Sequence, residues 1–174
     1  YNIGVTAANF GPALQEDFAG RIESSTRTLS FSSLVTYKEQ SLIEEKLLLA
    51  DKNFFTFFSY PLLEGDAETV LKNGNSIIIS KALAAKYFGQ EDAMGKIIRL
   101  DDQYDMVVTG LMDELPGNTH LQFDAVGSMN ITDGEEWFED WWANAFYTYV
   151  KIRSPEEADV LNAAFPAFME KYFG

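Results

Sequence analysis

The chain has 174 residues, of which 47% are hydrophobic and 23% charged, with a formal net charge of −14 and no cysteine. This composition is typical of one folded domain, or of two small lobes that share a core, and excludes a disordered chain. The negative charge argues against nucleic acid and anionic lipid as partners, and the missing cysteines exclude disulfides, thiolate metal sites and a cysteine nucleophile.

No segment of the sequence predicts targeting or membrane insertion. The most apolar stretches are a few residues long, whereas a helix that spans a bilayer needs about 20. The chain starts at Tyr1 and lacks the basic and apolar regions of a signal peptide. We therefore expect a soluble piece of a longer gene product.

The first predicted elements are a helix followed by two strands. Residues 11–18 are predicted to be helical because Pro12 suits a first turn, where its missing N–H costs nothing. Residues 27–36 and 42–50 are rich in Thr, Ser, Val and Leu with partial alternation, which predicts strands.

The middle of the chain predicts two further helices around a buried strand. Asp51 is expected to cap a short phenylalanine-rich helix. Residues 75–80 form a continuous apolar run, which is typical of a strand buried on both faces. Ser80 is then expected to cap a helix over 81–88, with Gly89 ending it in the left-handed region.

The second half predicts a hairpin, two strands and a final helix. Residues 96–100 and 104–112 form the predicted hairpin, and 123–128 and 145–153 the strands. Ser154, Pro155 and Glu157 form a capping box that begins the last helix, which Pro166 is expected to kink or split. Helices mixed with hairpins favour an α+β fold over an alternating α/β fold.

The residues predict no catalytic, cofactor-binding or metal-binding site. Gly89 to Gly95 has the wrong spacing for a phosphate loop, and Ile97 replaces the Ser or Thr that would bind magnesium. His120 is the single histidine, so it cannot form a multi-imidazole metal site, and we interpret it as structural.

Acidic residues dominate the second half of the chain. Residues 100–150 contain eleven Asp and Glu but no Lys or Arg. One acidic flank and a dispersed distribution both fit this pattern. A hydrolase that uses two carboxylates is a remaining alternative, because their separation depends on the fold.

Three tryptophans lie inside this acidic stretch, at Trp137, Trp141 and Trp142. Aromatic residues among charges are typical of contact surfaces for partners, and they are equally able to fold back as a small core. Both interpretations stay open from the sequence.

Several segments, in this order and spacing, resemble a known family. They are Asp51-Lys-Asn-Phe-Phe-Thr-Phe-Phe-Ser-Tyr-Pro-Leu-Leu-Glu-Gly-Asp, Asn75-Ser-Ile-Ile-Ile-Ser, Ala84-Ala-Lys-Tyr-Phe-Gly, Met94-Gly-Lys, Val107-Val-Thr-Gly-Leu-Met-Asp-Glu-Leu-Pro and Asn118-Thr-His-Leu-Gln-Phe-Asp. Together they are similar to the MacB-like periplasmic core domain of ABC transporter permeases with FtsX-type membrane segments, in the short form common in Bacteroidetes-type bacteria. The sequence departs from the family at Ala19 and Ala93, where Pro is common, and at Thr119, where Ser is frequent.

The resemblance implies one extracytoplasmic domain with two lobes. A porter-like α/β lobe would comprise about 1–53 and 121–174, and a smaller mixed lobe of about 54–120 would be inserted in it. The family's glycines and aromatic residues serve the fold, so the resemblance adds no catalytic or ligand-binding residue and no cofactor.

The resemblance also implies a non-enzymatic role at the periplasmic side of the inner membrane. The permease would work with a cytoplasmic ATP-binding subunit and a second permease copy. Its motion would act on a periplasmic adaptor, an outer-membrane protein or a substrate such as a peptide, lipoprotein or toxin. An alternative is an FtsX-type module that recruits a cell-wall hydrolase or adaptor through the tryptophan segment. We expect the isolated domain to be a monomer or a weak dimer.

Overall fold

The structure is a computed structural model that describes residues 4–115, 117–132, 134–135, 138 and 140–173. Its internal contacts divide the chain into two compact units. Unit 1 comprises Tyr1–Arg27 and Gly134–Gly174, and unit 2 comprises Thr28–Asp133. These boundaries differ from those of the lobes expected at about 1–53 plus 121–174 and 54–120, which stay a prediction.

Helices and strands alternate irregularly along the chain, as expected for an α+β fold. In chain order they are α1 (Phe10–Asp17), β1 (Ile22–Tyr37), β2 (Gln40–Ala50), α2 (Phe54–Phe58), β3 (Leu62–Glu64), β4 (Ser76–Ser80), α3 (Lys81–Phe88), β5 (Ile97–Leu100), β6 (Tyr104–Met112), β7 (Ala125–Ser128), a 3-10 turn (Met129–Thr132), β8 (Tyr147–Ile152) and α4 (Glu157–Phe173). The α+β fold class is therefore confirmed. None of the described helices is both long and apolar enough to cross a membrane.

Unit 1 packs α1 and α4 around a small apolar core. Phe10 and Leu14 of α1 and Phe168 of α4 are buried together with Ile22, at the start of β1. The rings of Phe10 and Phe168 meet edge to face with centroids 5.3 Å apart. α4 is one continuous helix that includes Pro166, so the proline does not split it.

Unit 2 is built on a closed, six-stranded arrangement. Pairings run from β1 to β2, β7, β4, β6, β5 and back to β1, and β3 pairs with β6. The β2–β7 and β4–β6 pairs are parallel and the others antiparallel. The enclosed core takes buried residues from all six strands and also Leu83, Tyr87 and Phe88 of α3. Because β4 is buried at every position, its continuous apolar run follows directly from its place in this core.

The ends of the helices confirm some of the local predictions and correct others. The Ser80 hydroxyl accepts a hydrogen bond of 3.1 Å from the Leu83 N–H, as predicted for the cap of α3. Gly89 has the predicted positive φ, 63°, but its ψ of −115° lies outside the left-handed helical region. The predicted cap at Asp51 is wrong, because Asn53 precedes α2 and makes no side-chain cap bond.

Candidate functional site

The two described tryptophans of the tryptophan segment differ in their surroundings. Trp137 lies outside the described residues. The Trp141 ring stacks on Tyr172 with centroids 4.5 Å apart and an interplanar angle of 17°, and it packs against the core of unit 1. Trp142 is 71% exposed, and its backbone N–H donates to Asp140 Oδ1 at 2.9 Å. Trp141 is thus partly buried against a core, and Trp142 is exposed to solvent.

The described acidic residues of the stretch 100–150 belong to both units. Asp105 pairs with Arg99 at 2.6 Å and Asp113 with Lys81 at 3.7 Å, both in unit 2. Asp140 belongs to unit 1. The described carboxylates therefore occur in both units, and some meet cations that precede them in sequence. The single acidic flank and the dispersed distribution both stay predictions.

The polar residues near His120 have structural roles. The imidazole ring of His120 contacts the Phe58 ring, with centroids 6.3 Å apart. Ser128 is buried and its hydroxyl donates to the Leu71 carbonyl oxygen at 3.0 Å, so it is not presented as a nucleophile. Among the residues that the structure describes, no group of three or more His, Asp and Glu side chains is placed to hold a metal ion.

A surface pocket of about 260 Å³ on unit 2 is lined by both basic and acidic side chains. It is lined by Thr36, Tyr37, Lys38, Ile97, Arg99, Asp102 and Asp105. Arg99 donates from Nε and Nη2 to the two oxygens of Asp105, at 2.6 and 3.2 Å. Because of these bonds the pKa of the Asp105 carboxyl lies below its usual value. A general acid of a glycosidase needs a raised pKa, so Asp105 is not suited to that role and does not favour the hydrolase alternative.

A buried polar cluster that the sequence did not predict joins β2 to α3. Glu44 accepts hydrogen bonds of 2.6 Å from Lys86 Nζ and from the Tyr87 hydroxyl. Burial, together with the neighbouring carboxylate, raises the pKa of Tyr87. The register of β1 and β2 shifts between Phe31 and Ser33, where two steps along β1 match three steps along β2. This irregularity interrupts the alternation of inward and outward side chains on β2, and both Glu44 and Leu47 are buried.

Nearly the whole chain is similar to one family of transporter domains. The profile of the MacB-like periplasmic core domain matches residues 3–168. No curated protein is similar enough to match the chain.

Three solved structures share its fold. A domain of a putative permease protein from Porphyromonas gingivalis has a TM-score of 0.82 at 23% identity, over 98% of this chain and 79% of that one. The periplasmic region of MacB from Actinobacillus actinomycetemcomitans has a TM-score of 0.70 at 14% identity, over 98% and 75%. The extracellular domain of the noncanonic ABC-type transporter YknZ from Gram-positive bacteria has 0.69 at 16% identity, over 98% and 86%.

Proposed function

The chain belongs to the MacB-like periplasmic core domain family, and we propose that it passes ATP-driven motion of its permease to substrates or partner proteins outside the inner membrane. It is the periplasmic domain of a MacB-like ABC transporter permease. The observation that carries the proposal is the family match over 3–168, nearly the whole chain. In this role the domain is not an enzyme, and a separate cytoplasmic subunit hydrolyses ATP.

The domain stands on the periplasmic side of the inner membrane, tethered through the rest of the permease and opposite a second copy. It acts on a periplasmic adaptor, an outer-membrane protein or a peptide, lipoprotein or toxin. The formal net charge of −14 supports a partner that is basic rather than acidic.

The test follows the motion of the domain in the complete transporter. Glu68 is exposed and the 174 residues contain no cysteine, so Glu68→Cys places a single spin label in this domain once any cysteine elsewhere in the permease is replaced by serine. In the full-length permease, reconstituted with its ATP-hydrolysing subunit, we expect the distance between the two labels to change with ATP. A subunit that binds but cannot turn over ATP is the control. An unchanged distance during ATP hydrolysis would overturn the coupling.

A second candidate function is the recruitment of a cell-wall hydrolase or adaptor, as FtsX-type permeases do. The 71% exposure of Trp142 is the observation that favours it, because large exposed aromatic side chains are enriched at contact surfaces. A photo-crosslinking residue at position 142 should form an adduct with such a partner in intact cells, whereas the same residue at Glu68 should not. Equal yields at both positions would remove the support for recruitment.

A further inference from the structure

The mixed-charge pocket of unit 2 lies along the short antiparallel pairing of β1 with β5. β1 pairs with β5 at Val35–Leu100 and Thr36–Arg99, so the turn that follows β1 lies beyond one end of this pairing and the turn that follows β5 lies beyond the other. On β5, Ile98 is buried whereas Ile97 is 52% exposed, which places Ile97 and Arg99 on the outer face. The pocket thus combines an exposed aliphatic side chain with charged groups from separate parts of the chain.

The cationic side of the pocket is partly pre-organised. Asp105 uses two of the five N–H donors of Arg99, which fixes the guanidinium and leaves donors for another acceptor. The Lys38 side chain is 64% exposed, and its ammonium lies 3.6 Å from the Glu91 carboxylate. Glu91 also forms an ion pair with Lys96, and that pair is the shorter of the two. Lys38 is therefore available for a second anionic partner.

The anionic side is the Asp102 carboxylate. Asp101 and Asp102 both have positive φ, 48° and 55°, in the turn that joins β5 to β6. The Asp101 carboxylate accepts a hydrogen bond of 2.9 Å from the Leu34 N–H, which stabilises that end of the turn. Asp102 lines the pocket, where its negative charge also interacts with the Arg99 guanidinium.

We propose that this pocket binds a small zwitterion, namely an amino acid or a dipeptide with both termini free. Arg99 and Lys38 hold the carboxylate, Asp102 holds the ammonium group, and Ile97 contacts an apolar side chain. A volume of about 260 Å³ is below the roughly 300–1,000 Å³ of sites for drug-sized ligands, which suits one or two residues. The proposal concerns unit 2 alone and does not depend on transport.

The balance of charges selects for a ligand with both charge signs. Two cations and two carboxylates line the pocket, so a simple anion is repelled by Asp102 and a simple cation by Lys38 and Arg99. Arg99 and Asp105 are about half exposed, at 51% and 53%, so water screens these interactions. We therefore expect a dissociation constant on the order of 1 mM for a dipeptide.

The test is a titration of the 15N-labelled 174-residue chain with L-alanyl-L-alanine, followed by NMR. Shift changes should centre on Ile97, Arg99 and Asp102. N-acetyl-Ala-Ala, which lacks the ammonium, and Ala-Ala-amide, which lacks the carboxylate, should each bind at least about tenfold more weakly. Asp102→Asn and Lys38→Gln should weaken dipeptide binding by a similar factor, and asparagine keeps the turn because it tolerates positive φ.

Glu68→Gln and Lys72→Gln remove the same charges at exposed positions of unit 2 outside the pocket, so they should leave binding unchanged. The proposal is overturned if 50 mM dipeptide causes no localised shift, or if the blocked peptides bind as well as the free one. It is also overturned if the control variants weaken binding as much as the pocket variants do. The backbone spectrum of each variant shows directly that unit 2 is folded.

Discussion

The Tyr87 hydroxyl donates a hydrogen bond of 2.6 Å to the Glu44 carboxylate inside unit 2. This bond joins α3 to β2, and Lys86 Nζ supplies a second bond to the same carboxylate. A buried carboxylate without donors would be costly, so the two donors stabilise a charge that the strand places inside the core. The position of α3 over the closed strands therefore depends on a polar contact as well as on apolar packing.

Replacement of Tyr87 by phenylalanine should destabilise the domain by about 1–3 kcal/mol, because Glu44 loses one donor while the ring is kept. Urea denaturation monitored by circular dichroism measures the free energy of unfolding. Tyr147→Phe is the matched control, since Tyr147 is 43% exposed and its variant should change stability by less than about 0.5 kcal/mol. Equal stability of Tyr87→Phe and the wild type would contradict the role of the bond.

Stability should fall at alkaline pH through the same residue. The pKa of Tyr87 is raised, first by burial and then by Glu44, above the value of about 10 that the unfolded chain has. Its contribution is fully present below pH 10 and is lost as the pH rises above 10 towards the folded-state pKa. Unfolding curves between pH 8 and 11 should show this decline, and the decline should be shallower in Tyr87→Phe.

Features set by neighbouring residues could be predicted from the sequence. The apolar run of β4, the serine cap of α3 and the hairpin of β5 and β6 all depend on local patterns, and the structure contains each of them. The α+β class followed from the order of such elements. The family resemblance came from the spacing of several of these segments.

Features set by distant parts of the chain could not be predicted in this way. Glu44 stands beside Glu45 and looks like a solvent-exposed residue, and only the shifted β1–β2 register turns it inward. The mixed-charge pocket joins Lys38 to Arg99 and Asp102, which lie about 60 residues further along the chain. No periodicity within one segment contains this information.

The two described tryptophans should respond differently to truncation. Trp141→Ala removes the ring that stacks on Tyr172 and should destabilise unit 1 by about 2–3 kcal/mol. Trp142→Ala should change the free energy of unfolding by no more than about 0.5 kcal/mol, because the side chain is 71% exposed. Chemical denaturation of both variants makes the comparison. The assignment of Trp141 to the core fails if both variants unfold at the wild-type midpoint.

Replacement of Pro166 by alanine should stabilise the domain. Pro166 is exposed and lies inside α4, where it cannot donate the backbone hydrogen bond that continues a helix. A proline inside a helix lowers the free energy of unfolding by about 3 kcal/mol relative to alanine. Proline also restricts the unfolded chain, which offsets about 1 kcal/mol of this loss. We expect a gain of about 1–2 kcal/mol and a melting temperature higher by several degrees. Ala167→Gly, at the next exposed position, should lower stability by about 1 kcal/mol and serves as the opposite control.

Substitution by alanine should destabilise the domain more at Gly65 than at Gly95, although both glycines have positive φ. It has φ of 97°, and an added Cβ would lie 2.7 Å from Val70 Cγ1 and 2.8 Å from the Thr109 carbonyl oxygen. Gly95 has φ of 75° but no atom within 4 Å of such a Cβ, so Gly95→Ala isolates the backbone cost of about 1–2 kcal/mol. Gly65→Ala adds a steric cost of about 1–3 kcal/mol, because the carbonyl belongs to the backbone of β6 and cannot rotate away. Urea denaturation should therefore place Gly65→Ala below Gly95→Ala, and the reverse order would show that β6 yields at this contact.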